Sequence, residues 1–156
     1  MAVLKAELKA SDVMTREPVC VEPSTCIRSL ARAFEDNEIS GAPVIDADGR
    51  VVGVVSKTDL IRRCSEGSAD VPPAYLFEVL CEQESVDDAT DLPPETLFCV
   101  EDFMSEDPLM VSPEMSAAAI ARELHERRIH RVIVVDADRR PLGVVTSLDL
   151  LGHFSR

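Results

Sequence analysis

Gly53-Val54-Val55-Ser56-Lys57-Thr58-Asp59-Leu60 returns ninety positions later as Gly143-Val144-Val145-Thr146-Ser147-Leu148-Asp149-Leu150. The match runs outward without a gap over residues 13–60 and 103–150. Met14 meets Met104, Pro18 meets Pro108, and Val21 and Pro23 meet Val111 and Pro113. Ala31-Arg32 meets Ala121-Arg122, and Asp46-Ala47-Asp48 meets Asp136-Ala137-Asp138. Inexact pairs keep their chemistry: Thr15 with Ser105, Phe34 with Leu124, Ser56 with Thr146. A chain that uses one unit twice is expected to fold as a pseudo-symmetric pair, with clefts where the two units meet.

Each unit reads β-α-β-β-α. In the first, Val19–Val21 is a short strand closed by Pro23, and Ser24 or Thr25 offers a helix N-cap. Ile27, Leu30, Ala31 and Phe34 fall on one helix face, which Asn37 ends. Ala42–Ile45 is the second strand, Asp46-Ala47-Asp48-Gly49 a hairpin turn, Val51–Val55 a buried third strand, and Thr58–Arg63 a second helix. The second unit repeats this with Met110-Val111, a helix carrying Ala117, Ile120, Ala121 and Leu124, then Val132–Val135, Leu142–Val145 and a helix over Leu148–Phe154. The fold class is therefore α/β (α+β), two repeats packed sheet to sheet with helices outside. The expected segments are an arm at 1–12, a first repeat at 13–63, an insertion at 64–101 with one helix near Ala74–Glu82, and a second repeat at 102–156. Residues Val3–Leu8 are expected to pack on the second unit.

A repeat of about 50–60 residues buries too little surface to be stable alone, so two must pack together. An apolar fraction of 46% with only 4% aromatics predicts a core of Val, Ile, Leu and Ala. The net charge of −13 repels nucleic acid and anionic membranes. No apolar run approaches the ~20 residues of a membrane span, and the opening residues lack the apolar core of a signal peptide. Cys20, Cys26, Cys64, Cys81 and Cys99 form no C-x-x-C, and His125, His130 and His153 are scattered, which argues against a zinc site. Reduced cytosolic thiols and a cytoplasmic location are expected.

The duplicated stretch also carries the candidate chemistry. Ser56 and Thr146 end a strand, and Asp59 and Asp149 follow three residues later at a helix start. Helix N-termini attract anions, a hydroxyl adds a donor to phosphate, and a carboxylate accepts the hydroxyls of a ribose. The same Ser-x-x-Asp and Thr-x-x-Asp spacing reads equally as a capping box with Asp in place of Glu. That role contributes about 0.5–2 kcal/mol and needs no ligand. Opposite lie Ile39-Ser40-Gly41-Ala42-Pro43-Val44 in one repeat and Ile129-His130-Arg131-Val132-Ile133-Val134 in the other. Small residues in the first leave room for a flat ring. Arg131 in the second either reaches a phosphate, by a bond worth roughly 1.5–3 kcal/mol, or belongs with Arg127 and Arg128 to a solvated helix end.

Asp12-Val13-Met14-Thr15 with Pro18, Gly41-Ala42-Pro43-Val44-Ile45-Asp46, and the two segments ending in Asp59 and Asp149 resemble a tandem pair of cystathionine-β-synthase (CBS) domains, a Bateman module. The resemblance covers the chain apart from its start and residues 64–101. It implies adenosine-containing ligands: AMP, ADP or ATP, and in some members S-adenosylmethionine or NAD. It places the ribose carboxylate on Asp59 and Asp149 and the phosphate-side hydroxyl on Ser56 and Thr146, with Thr58 nearby. The base-side backbone falls on Gly41-Ala42-Pro43 and His130-Arg131-Val132. Ile133 departs from the proline matched by Pro43, Leu148 stands opposite Thr58, and Cys20 and Met110 replace a common threonine, so unequal sites are expected.

The function expected from these residues is that of a stand-alone regulatory protein. It would bind an adenine nucleotide, require no cofactor, form a homodimer and signal by conformational change. The alternative is a ligand-free dimeric scaffold, with residues 64–101 docking a partner protein. No nucleophile–base pair stands out, so catalysis is not expected.

Overall fold

The computed structural model describes residues 8–65 and 99–153. The expectations for Val3–Glu7, for the Ala74–Glu82 helix and for Cys81 fall outside these residues. The first repeat gives α1 (Ala10–Val13), β1 (Thr15–Arg16), α2 (Ile27–Asp36), β2 (Gly41–Ile45), β3 (Val51–Ser56) and α3 (Lys57–Ser65). After a 3₁₀ turn at Val100–Asp102 come β4 (Met110–Val111), α4 (Ala117–Arg127), β5 (Arg131–Val135), β6 (Pro141–Thr146) and α5 (Ser147–Leu151). No helix among the described residues is long and apolar enough to cross a membrane.

The helices form on the faces the spacing predicts. Ile27, Leu30, Ala31 and Phe34 are all buried on α2, as are Ala117, Ile120 and Leu124 on α4. Their starts differ. Ser116 caps α4 by accepting the Ala119 N–H at 3.1 Å. The cap of α2 is Cys26, which corrects the expectation of Ser24 or Thr25. The Thr25 hydroxyl is engaged one turn earlier, accepting the Glu22 N–H at 3.0 Å, so the helix begins later. The final helix is also shorter than expected, ending at Leu151.

Two compact units cut across the sequence repeats. Among the described residues one takes 8–18, 47–51 and 107–153, the other 19–46, 52–65 and 99–106. The first has a four-stranded sheet ordered β1-β6-β5-β4. β6 is antiparallel to β5 (Val132 opposite Val145) and to β1 (Thr15 opposite Val144), and β4 is parallel to β5. In the other unit β2 pairs β3, extended by single bridges from Val21 to Val44 and from Ser105 to Val54. Ninety positions relate these partners, so the strand order is the same.

The segment that opens each repeat therefore completes the sheet built by the other repeat. Ala10 and Val13 lie in the core with Ile120, Val134 and Val145, while Val100 lies with Ile27, Phe34 and Val55. Leu8, the described end of the expected arm, packs on the former cluster. Two glycines permit the exchange. A Cβ on Gly143 would stand 2.6 Å from Met14 Sδ and 2.8 Å from the Thr15 carbonyl oxygen. On Gly53 it would stand 2.8 Å from both Met104 Sδ and the Ser105 carbonyl oxygen. The duplicated Gly/Met pairs are thus two copies of one close contact.

The strand expected at Val19–Val21 shrinks to the single bridge at Val21, and one residue explains it. Ile133 N–H donates to the Leu109 carbonyl at 3.0 Å, which helps hold β4 on β5. Its counterpart, Pro43, has no N–H to offer Val19. Val21 N–H still reaches the Pro43 carbonyl at 3.0 Å, and that end alone pairs.

Candidate functional site

Each repeat brings its predicted residues together where a strand passes into a helix. Ser56 closes β3, and its N–H donates to Asp59 Oδ2 at 2.9 Å. Asp59 N–H returns a bond to Ser56 Oγ at 3.1 Å. In the second repeat Thr146 N–H donates to Asp149 Oδ2 at 2.8 Å, and Asp149 N–H to Thr146 Oγ1 at 3.2 Å. Both are complete reciprocal caps with Asp at the third helical position. The caps leave valences over. Oδ1 of each aspartate accepts no hydrogen bond among the described residues, and each hydroxyl retains a proton to donate. All four side chains are half-buried.

The opposite wall is tied to this corner through the main chain. Lys57 N–H donates to the Ser40 carbonyl at 2.8 Å, and Ser147 N–H to the His130 carbonyl at 3.0 Å. These are the same bond in two copies. Arg131 stands directly opposite Thr146 in the β5–β6 register. Gly41, Ala42 and Pro43 lie on β2 beside β3, and His130, Arg131 and Val132 enter β5 beside β6.

The predicted residues do not all contribute in the same way. Ala42, Pro43 and Val132 are buried, so their side chains are withdrawn from solvent. Thr58 is exposed on the first turn of α3 and takes no part in the cap. Its counterpart Leu148 is 77% exposed. His130 is exposed and Arg131 half-buried. Sequence reasoning missed Lys57, which pairs with Glu35 Oε1 at 3.0 Å and sets a cation in the first turn of α3. It also missed that Ser105 and Thr15 lie alongside Val54 and Val144, two residues before each hydroxyl. The signal was present in the repeated Met-Ser/Thr and Gly-Val-Val, which period-based reading assigns to separate elements. No cluster of three His, Cys, Asp or Glu side chains suited to a metal occurs among the described residues.

The strand–helix corner with its capped aspartate, joined to a second strand by one main-chain bond, is thus built twice in the same way. Residues 10–66 and 100–156 both match the CBS domain, and the chain belongs to that family. It is 29% identical over 150 residues to the uncharacterized protein MJ1426 of Methanocaldococcus jannaschii, covering 90% of this chain and 87% of the relative. Against the chloroplastic CBS domain-containing protein CBSX2 of Arabidopsis thaliana it is 31% identical over 128 residues, 81% of this chain but only 54% of that one. The crystal structure of CBSX2 in complex with AMP superposes with a TM-score of 0.69 at 26% identity, covering 93% of this chain and 94% of that one. The CBS domain pair of protein MJ0100, solved with 5′-methylthioadenosine and S-adenosyl-L-methionine, shares the fold with a TM-score of 0.71 at 17% identity, covering 96% and 95%.

Proposed function

We propose that this protein is a stand-alone regulatory CBS pair that binds an adenine nucleotide of the AMP, ADP or ATP class at its two strand–helix corners. The observation that carries the reading is the free Oδ1 and hydroxyl proton beside a fixed strand edge, present twice. Asp59 and Asp149 accept the ribose hydroxyls, Ser56 and Thr146 donate towards phosphate, and the main chain at Gly41–Pro43 and His130–Val132 reads the base. Thr58 and Arg131 add a hydroxyl and a guanidinium to the phosphate side. The likeness to CBSX2, solved with AMP, supports that ligand class. Neither a cofactor nor catalysis enters: the protein signals by population shift, which requires the ligand to prefer one arrangement. A homodimer in the cytoplasm, acting on a partner protein, completes the proposal.

Titration calorimetry of the purified chain with AMP, ADP, ATP and S-adenosylmethionine tests it. Heat from at least one, lost in the Asp59→Ala/Asp149→Ala double variant, supports the sensor. A second reading, a ligand-free scaffold, is favoured by the completeness of the caps, which give Oδ2 of each aspartate and the oxygen of each hydroxyl a main-chain partner without any ligand. A folded protein silent towards all four compounds would establish that reading instead.

A further inference from the structure

Cys26 and Cys99 face one another across an antiparallel bridge. Beside them Val100 N–H donates to the Thr25 carbonyl at 2.9 Å. That bond flanks the pair, so the cysteines occupy a non-hydrogen-bonded position, where opposed Cα atoms lie about 4.5 Å apart and side chains approach most closely. A disulfide needs a Cα separation of about 4.4–6.8 Å, which this position meets. Both thiols are free, with Cys26 exposed and Cys99 partly so.

The surroundings give the two thiols different characters. Cys26 is the N-cap of α2, and its Sγ lies 3.2 Å from the Ser29 hydroxyl. Burial opposes its thiolate, but the Ser29 hydroxyl and the N–H groups of Ser29 and Arg28 outweigh that and hold its pKa below the usual thiol value. Desolvation, then the carboxylates of Asp102 and Glu101, then Cys26 itself push Cys99 the other way. One thiol is thus set up to attack and its neighbour to resolve. The twin corner holds no such chemistry. There Ser116 and Lys9 form the same bridge, and Ala10 N–H donates to the Met115 carbonyl at 2.8 Å.

We propose that Cys26 and Cys99 form a dithiol–disulfide switch that reacts with low-molecular-weight disulfides. The Cys26 thiolate attacks one sulfur of the small disulfide, whose S–S bond breaks and releases a thiolate. Cys99 gives its proton to solvent and attacks Cys26 Sγ, and the mixed disulfide breaks to release a second thiolate. The protein loses two electrons and two protons, and the small disulfide becomes two thiols. The resulting link fastens the Val100–Asp102 turn to the start of α2. It encloses β2, β3 and α3, and so the first corner but not the second.

The test is incubation of the full chain with oxidised glutathione, followed by acid quench, alkylation and peptide mapping. The expected product joins the Cys26 and Cys99 peptides, with a mass lower by two hydrogen atoms and reversible by dithiothreitol. Cys99→Ser should leave glutathione trapped on Cys26. The linked protein should also melt higher than its reduced form, a shift absent from Cys26→Ser. Separate glutathione adducts on the two cysteines, or linkage of Cys26 to Cys20, Cys64 or Cys81, would overturn the proposal. The map of the unmutated chain decides this even where a variant misfolds.

Discussion

The two strand–helix corners share their main chain and differ in almost every side chain around it. In both, a hydroxyl and an aspartate cap a helix, and one N–H ties the helix start to the preceding strand edge. Around that frame, Ser40, Gly41, Pro43 and Thr58 become His130, Arg131, Ile133 and Leu148. The frame is fixed by hydrogen bonds that folding itself requires. The lining is free to diverge once the frame is secure. A first corner of small residues with the Lys57–Glu35 ion pair and a second with His130, Arg131 and the exposed Leu148 are therefore expected to differ in ligand affinity.

The exchange of Pro43 for Ile133 gives the hardest test of this comparison. Ile133→Pro removes the donor to Leu109 from a central strand, and urea unfolding should show a loss of about 2–4 kcal/mol. Pro43→Ile should cost little and extend pairing towards Val19, visible as a new, exchange-protected amide at position 43 where the parent has none. Equal effects would mean that the proline does not set the length of the first strand.

The aspartates come next. Asp149→Ala and Asp59→Ala should each weaken nucleotide binding at their own corner by about 1.5–3 kcal/mol, roughly ten- to a hundredfold. Calorimetry resolves the two sites if the linings differ as described, and a single shared affinity in the parent protein would contradict that difference. Both variants also lose a cap, so asparagine in place of alanine separates binding from stability.

Gly53→Ala and Gly143→Ala should each destabilise by about 1–3 kcal/mol, because a backbone oxygen, and not only a flexible methionine, blocks the new Cβ. Trimming the sulfur in Gly143→Ala/Met14→Ala should leave much of that loss in place. Full recovery would show that the methionine alone is in the way.

The helix starts provide a smaller contrast. Ser116→Ala removes a bond to Ala119 and should cost about 1 kcal/mol, whereas Cys26→Ala gives up no geometric cap and should cost a few tenths. The smallest effect is a pH displacement. Cys26 has its folded pKa depressed, so its thiolate appears, and its contribution to stability begins, as pH rises through that lowered value. Burial raises the pKa of Cys20, whose thiolate appears later. Iodoacetamide should therefore label Cys26 at a lower pH than Cys20 or Cys99.

Much of this was legible in the sequence, for a physical reason. Helix faces and buried strands announce themselves by period, and Ser56, Asp59, Thr146 and Asp149 by spacing, because a cap is a local device. The cap and the candidate site use the same atoms, so both readings were visible before the fold was. What could not be read was long-range. Nothing local in Met14-Thr15 says that its partner is Gly143-Val144 and not the neighbouring repeat strand. Thr25 offered a better cap than Cys26 by residue type, yet its hydroxyl was already committed to Glu22. Opposed Cys26 and Cys99 are equally invisible to spacing, since a long stretch of chain separates them.

The borrowed edge of each sheet has a consequence for dissection. A cut anywhere in residues 66–98 yields two fragments, and neither carries the Met-Thr or Met-Ser segment that its own β-hairpin needs. Each fragment owns the other's missing piece. Co-expressed, they should re-form the whole by complementation; expressed singly, each should seek a second copy of itself.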